Sequence, residues 1–335
     1  MAERIHPGKV PKMILADGHE IPCIGLGTFG SDHVSADEVA EAVYGAIQSG
    51  YRMLDCASVY GNEAQIGASL ERLFKEGTVK RDELTITSKM WNNMHGRGDV
   101  LLSCAKTLRD LRLDYLDIYF IHWPFPNYHA PFCDGDSRNP DSRPFSVDEF
   151  MSTWRQVEHL VDMGLVKYPG VSNMTIAKME AVLPLCRIRP AVAEFELHPS
   201  FQQPELFDYM VAHHILPVGY CPIGSPNRPE RDTTPEDVAD TKMPEVVEIA
   251  KKHRIHPAMV CIKWAVQRGQ LPIPFSVHNY AANLQCVTED PLTPEEMEIL
   301  KGADKNCRLI KGQVFLWPGA ESWHDLWDEN GTIVS

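Results

Sequence analysis

Two hydrophobic rhythms take turns along this chain of 335 residues. Short runs such as Met53-Leu54-Asp55-Cys56 and Ile118-Tyr119-Phe120-Ile121 are apolar at nearly every position, as in strands buried on both faces. Between them lie stretches such as 36–47 and 62–74, where apolar residues recur every three or four positions, the period of an amphipathic helix. The pattern predicts strands at 24–28, 52–56, 84–88, 116–121, 167–171, 192–196, 216–220 and 271–275. Ahead of them, 13–16 and 21–25 flank Asp17-Gly18, a tight-turn dipeptide, which predicts an N-terminal β-hairpin.

Strand–helix units that repeat in this way, eight in about 280 residues, fit an α/β fold of the (β/α)8 TIM-barrel type. A doubly wound sheet would instead carry a GxGxxG phosphate turn. Gly25-Leu-Gly27-Thr-Phe-Gly30 has the wrong spacing, so its glycines read as barrel floor and loop. The chain reads as a single domain over 1–335, with the barrel at 12–305 and a tail at 306–335. Long βα loops at 124–147 and 222–242, and the tail itself, exceed what a barrel needs, and such loops are usually functional.

Composition narrows the function. Acids outnumber bases 46 to 32, a net charge of −14, which argues against nucleic acid and against an anionic membrane surface. The N-terminus has no apolar core of signal-peptide length, and no run approaches the roughly 18 apolar residues of a membrane span. Nine cysteines (23, 56, 104, 133, 186, 221, 261, 286 and 307) form no CxxC pair. They read as buried filler in a reduced, cytoplasmic protein. His253 and His256 have no evident third ligand, so they read as a solvated helix end, and no metal is expected.

Four residues carry the chemistry: Asp55, Tyr60, Lys89 and His122, in segments that follow or end predicted strands. Strand ends are where a parallel barrel builds its active site. A phenol with a reference pKa of about 10 is a weak acid alone, and a neighbouring ammonium favours its phenolate. Asp55 would be counter-ion to Lys89, and His122 would donate to a substrate oxygen. Singly, each is more often an ordinary edge, surface, capping or core residue. The gaps of 5, 29 and 33 residues match the tetrad of the aldo-keto reductases, which the chain resembles over roughly 12–305. Gly170-Val-Ser172-Asn173, Glu196-Leu-His198-Pro199 and Tyr220-Cys-Pro-Ile-Gly-Ser225 extend the match.

The resemblance implies reduction of an aldehyde or ketone with hydride from NAD(H) or NADP(H), and Tyr60 as general acid. It implies cofactor contacts from Gly27, Thr28, Phe29 and Asp55, and Ser172 and Asn173 on the nicotinamide carboxamide. Tyr220 would stack on the nicotinamide, and Cys221, Pro222, Ile223, Gly224 and Ser225 would wrap the pyrophosphate. Phe275, Ser276, Val277, His278, Asn283 and Gln285 complete the expected cofactor set. Phe29, Tyr60, Trp91, His122 and Trp123 would line the substrate pocket. Trp317, Trp323 and Trp327 of the tail read equally as pocket wall or core. Their mixture of rings and hydrogen-bonding neighbours suits a sugar-like or polyhydroxylated carbonyl compound.

Two positions depart from the family. Glu194 stands where the family usually has Gln toward the carboxamide, and Phe275 stands where NADPH-preferring members have Lys. The partner arginine falls on Ala281, or on Asn279 with a gap, and no Lys or Arg occurs from 269 to 300. A 2′-phosphate without those cations loses roughly 1.5–3 kcal/mol per charge-assisted contact. A weakened NADPH preference is therefore expected, unless Arg228 or Arg231 supplies the charge. The expected partner is a small-molecule carbonyl substrate, with no nucleic acid or membrane, in a monomer or small homo-oligomer. A non-catalytic, cofactor-binding sensor or regulatory subunit is the alternative, and the intact tetrad argues against it.

Overall fold

The computed structural model describes residues 4–31, 33–127, 138–226 and 228–334, without the side chain of Arg231. Residues 128–137 of the loop expected at 124–147, Cys133 included, lie outside the described residues.

The hairpin forms as expected from β1 (Lys12–Ile14) and β2 (Glu20–Pro22), paired antiparallel with Met13 opposite Ile21. Gly18 takes a φ of 88° in its turn, which a residue without Cβ adopts freely. Eight parallel strands follow in chain order: β3 (Leu26–Gly27), β4 (Met53–Asp55), β5 (Thr85–Met90), β6 (Leu116–Ile121), β7 (Val166–Ser172), β8 (Val192–Glu196), β9 (Leu216–Tyr220) and β10 (Leu271–Pro272). Each pairs with the next. The ring closes where Gly25 N donates to Pro272 O and Gly27 N to Pro274 O, both at 3.1 Å. A Cβ on Gly27 would stand 2.7 Å from the Ile273 carbonyl, so only glycine permits this closure. The strands expected at 24–28 and 271–275 shrink to two residues each, because Pro272 and Pro274 cannot donate to a ladder.

Among the described residues ten helices lie between or after the strands: α1 (Ala36–Ser49), α2 (Glu63–Lys75), α3 (Asp99–Leu111), α4 (Val147–Asp162), α5 (Ile176–Val182), α6 (Pro204–Ala212), α7 (Pro244–His253), α8 (Pro257–Gln267), α9 (Tyr280–Cys286) and α10 (Pro294–Lys301). Their starts follow the sequence: Ser35 and Glu38 form a capping box at α1, as do Thr293 and Glu296 at α10. Among the described residues no helix is long and apolar enough to cross a membrane.

Besides a cluster among α7, α8 and α10, the core has two shells. Leu15 and Ile21 of the hairpin pack inside the barrel with Met53, Ile118, Phe120, Val192, Val218 and Leu271. A larger shell of Val, Ile, Leu, Met and aromatic residues fills the space between sheet and helices. The hairpin also ties to the barrel where Tyr168 Oη donates to Asp17 at 2.7 Å and stacks on His19. With that end filled, the carboxyl ends of the strands are left to build a site.

Candidate active site

Asp55 closes β4 and lies opposite Thr87 of β5, two residues before Lys89. Period-two alternation therefore puts Thr87 and Lys89 on the same face as each other. Thr87 Oγ1 donates to Asp55 Oδ1 at 2.7 Å, and Lys89 Nζ donates to Asp55 Oδ2 at 2.5 Å and to Cys56 O at 3.2 Å. The same ammonium reaches Glu194 Oε1 at 3.3 Å and Tyr60 Oη at 3.5 Å. Lys89 is 0% exposed, and Asp55 and Glu194 are 2% exposed each. Lys89 stands inside β5, which continues to Met90, rather than beyond its end.

Tyr60 is not on a strand. It ends a single 3-10 turn, Ser58–Tyr60, and the chain leaves it through Gly61 at φ 68°. The residues around it hold that turn in place. Ser58 Oγ donates to Lys89 O at 3.1 Å, and Asn62 Nδ2 donates to Thr28 O at 2.8 Å. Thr28 Oγ1 donates to Asp55 O at 2.8 Å. Glu63 accepts from Ser88 Oγ at 2.6 Å and Thr107 Oγ1 at 3.0 Å, which fixes the start of α2 against β5 and α3. The Gly-Asn-Glu run after Tyr60 is thus a framework for the phenol.

Burial shapes the electrostatics. Although burial works against its charge, Asp55, Glu194 and Tyr60 hold the Lys89 ammonium well above its ordinary pKa. Burial pushes Tyr60 above the usual phenol range, Lys89 pulls it down, and Asp55 and Glu194 push it up again. The net is upward. Burial outweighs the pull of Lys89, so a lysine beside the phenol does not by itself make a stronger acid. Burial, with Lys89 next, holds the His122 imidazole well below its ordinary pKa, so it is neutral at pH 7.

Half-buried rings surround the phenol. The His122 ring stands edge-on to Tyr60 at 5.9 Å and to Trp91 at 5.1 Å, and Phe29 lies 5.0 Å from Tyr60. Ring Nδ1 of His122 has no partner in the protein. Asn173 joins three strands: its Nδ2 donates to His122 O at 2.9 Å and Ser172 Oγ at 3.1 Å, and its Oδ1 accepts from Tyr220 Oη at 2.8 Å. Asn173 does so at φ 57°, the left-handed region that Asn tolerates. Glu194 is in register with Ser172, and Tyr220 with Glu196, so β7, β8 and β9 present these groups side by side. Beyond Tyr220, Cys221 at φ 53°, Gly224 at φ 77° and Ser225 at φ 35° give the loop a run of left-handed turns through Pro222 and Ile223.

The tail covers this mouth. Phe315 lies 4.6 Å from Trp123 and 5.7 Å from Trp91, and Trp327 lies 5.5 Å from Trp123. Trp317 is buried, whereas Trp323 stacks on His324 at 3.7 Å toward the surface. Phe315 was not singled out in the sequence; 192 residues separate it from Trp123, and nothing local signals the contact.

On the other side of the barrel mouth, Phe275 is half-buried beside Gly27. A groove of about 400 Å³ runs between Val277, His278 and Tyr280 and the α1 residues Asp37, Glu38, Glu41 and Ala42. Asn283 is buried in α9, and Gln285 is exposed, donating to Glu289 at 2.8 Å. Ser276 Oγ accepts from His278 N and Asn279 N. Arg228 is engaged within its own loop: it pairs with Asp237 and donates to the carbonyls of Asp232 and Ser225. His253 faces Glu296 at 2.8 Å, and His256 accepts from Ala258 N as the cap of α8. No group of three or more His, Cys, Asp or Glu that could hold a metal occurs among the described residues.

Comparisons with known proteins give the family. Residues 23–305 match the model of the aldo/keto reductase family. An aldo/keto reductase of Synechocystis is 41% identical over 324 residues, covering 94% of this chain and 95% of that protein. The aldo-keto reductase family 1 member A1 of Xenopus tropicalis is 39% identical, covering 88% and 89%. Among solved structures, a Bombyx mori aldo-keto reductase in complex with NADP superposes with a TM-score of 0.78 at 31% identity, covering 90% of this chain and 95% of that one. The chain belongs to the aldo/keto reductase family, whose members are NAD(P)H-dependent oxidoreductases of (β/α)8 fold.

Proposed function

We propose that the protein reduces an aldehyde or ketone to the alcohol, with Tyr60 as the proton donor and Asp55, Lys89 and His122 as its supporting groups. The observation that carries this reading is the buried Lys89–Asp55 pair directly beneath a half-exposed phenol, with a neutral imidazole at its edge. The residues at the carboxyl end of the barrel fit a nicotinamide dinucleotide. Glu194 Oε2 is buried without a partner, the Tyr220 ring is half-exposed beside it, and Ser172 and Asn173 stand next in register. When bound, the dinucleotide supplies the hydride, which no side chain can.

The protein's own groups manage the proton. Tyr60 Oη–H donates to the carbonyl oxygen as negative charge develops there, and the phenolate left behind is stabilised by Lys89 at 3.5 Å. Neutral His122 offers an N–H to the same oxygen, which orients the substrate and spreads the charge. Trp91, Trp123, Phe29 and Phe315 form an apolar wall around that oxygen and exclude water, which strengthens each of these contacts. The mixed aromatic and polar tail favours a sugar-like or polyhydroxylated carbonyl compound as substrate class.

Cofactor choice leans toward NADH. Phe275, Ala281 and Asn279 provide no cation, Arg228 is already paired with Asp237, and Asp37, Glu38 and Glu41 wall the groove next to 277–280. A 2′-phosphate there meets like charge instead of a clamp. The test is oxidation of NADH and NADPH over a panel of aldehydes, ketones and keto-sugars, each cofactor titrated at fixed substrate. Turnover that is comparable or better with NADH supports the reading. No oxidation of either cofactor by any carbonyl defeats it.

A further inference from the structure

Lys89 has one positive charge and two carboxylates. Asp55 holds it at 2.5 Å and is itself fixed by Thr87, while Glu194 touches it at 3.3 Å through one oxygen and leaves the other, Oε2, with no partner. All three are buried, 2% exposed or less. A single ammonium in such a place balances one full negative charge, and a second carboxylate is neutralised by taking up a proton. The loosely held partner is the one to do so.

We propose that Glu194 is a positioning residue for proton delivery: as a neutral acid it leaves the charge of Lys89 to Tyr60, and on ionising it takes that charge and slows reduction. This rests on the proposed role of Tyr60. The groups that face Glu194 are Lys89 of β5, Asp55 of β4, Tyr60 after β4 and Tyr220 of β9, while β7 offers only the non-titrating Ser172 and Asn173. His122, at the end of β6, is neutral over the same range. Burial and then Asp55 push Glu194 up to about 8, against the pull of Lys89. The transition therefore falls within a pH range in which an enzyme can be assayed. Tyr60, held above the ordinary phenol range, titrates higher.

No bond to Glu194 is made or broken in turnover. The proton delivered to the substrate leaves Tyr60, and Glu194 changes only how well Lys89 stabilises the phenolate that results. An amide in its place carries no charge at any pH and cannot withdraw the field of Lys89.

The experiment is kcat for carbonyl reduction from about pH 6 to about pH 10 in the wild type and in Glu194→Gln. The wild type is expected to lose activity above about pH 8, about tenfold per unit at the steepest, and Glu194→Gln to carry that fall at least one pH unit higher. A merely structural role for Glu194 lowers the rate without moving the profile. A fall that stays in place in Glu194→Gln, or a wild type that is flat to about pH 10, overturns the inference. If Glu194→Gln does not fold, Glu194→Met, which also carries no charge at any pH, takes its place, and an unmoved fall there overturns it equally. A wild type that reduces no carbonyl defeats the reading of function instead, so the two failures are distinguishable.

Discussion

Replacing the Tyr60 hydroxyl by hydrogen removes one transferable proton and little else. The ring contacts with Phe29 and His122 survive in Tyr60→Phe, and so does the Lys89–Asp55 pair beneath. A general acid contributes typically about 100- to 10,000-fold, so kcat should fall by that amount while cofactor Kd stays within a few-fold. Steady-state kinetics with a binding titration checks this, and near-normal turnover would remove Tyr60 from the mechanism. At the adenosine end, Phe275→Lys with Ala281→Arg adds the two missing cations. The ratio of kcat/KM should swing toward NADPH by roughly 1–3 kcal/mol, the worth of one or two charge-assisted contacts. If the wild type already prefers NADPH a hundred-fold, the side chain of Arg231 becomes the next residue to replace.

Among the elements, the tail is tied to the barrel by a buried ion pair as well as by its packed rings. Asp328 accepts from Lys178 Nζ and from Thr175 Oγ1, both at 2.5 Å, and Lys178 also donates to Leu326 O at 2.9 Å. The side chains of Lys178 and Asp328 are both about 1% exposed. Burial holds the Lys178 ammonium below its ordinary pKa against the pull of Asp328, so its charge depends on that partner. Asp328→Ala strands an ammonium in the interior, which costs about 3–5 kcal/mol. Relief comes from releasing the tail, and with it Trp327 and Phe315 from the mouth of the barrel. KM for the carbonyl substrate should rise at least several-fold with little change in KM for the cofactor, and proteolysis should cut within 306–334. Equal effects on both Michaelis constants would show that the tail does not wall the substrate side.

For the molecule as a whole, a second buried network joins β8, the loop before α7 and the start of the tail. His198 lies 2.9 Å from Glu196 Oε1 and 2.8 Å from Asp240 Oδ2, while Glu196 also accepts from Leu309 N at 2.6 Å and Ile310 N at 2.8 Å. Burial disfavours the imidazolium, but Asp240 and Glu196 outweigh it and raise His198 to about 9. A folded pKa above the unfolded value of about 6.5 means stability present in full below pH 6.5 and lost as pH rises through about 9. Thermal unfolding should therefore shift downward across that window, by up to a few kcal/mol in all. His198→Gln should be less stable at pH 6 and show a flatter dependence up to pH 9; an unchanged slope would mean that His198 is not charged in the fold.

Much of this protein was legible along the chain. Continuous apolar runs and a 3.6-fold period placed eight strands and the first two helices, because burial on both faces of a strand and one face of a helix leaves a local imprint. Asp17-Gly18 announced the hairpin, and the four site residues came with spacings that match the tetrad of the family. What the chain did not carry was anything decided by distance across the barrel. The upward net shift of Tyr60 depends on burial that outweighs the pull of Lys89, and Glu194 lies 105 residues from the lysine it touches. Phe315 over Trp123, Asp328 on Lys178 and the acids of α1 beside His278 are likewise contacts between segments that only the closed ring brings together. Local pattern sets which face of an element is buried; burial, charge sharing and the cover over a site are properties of the neighbours that folding supplies.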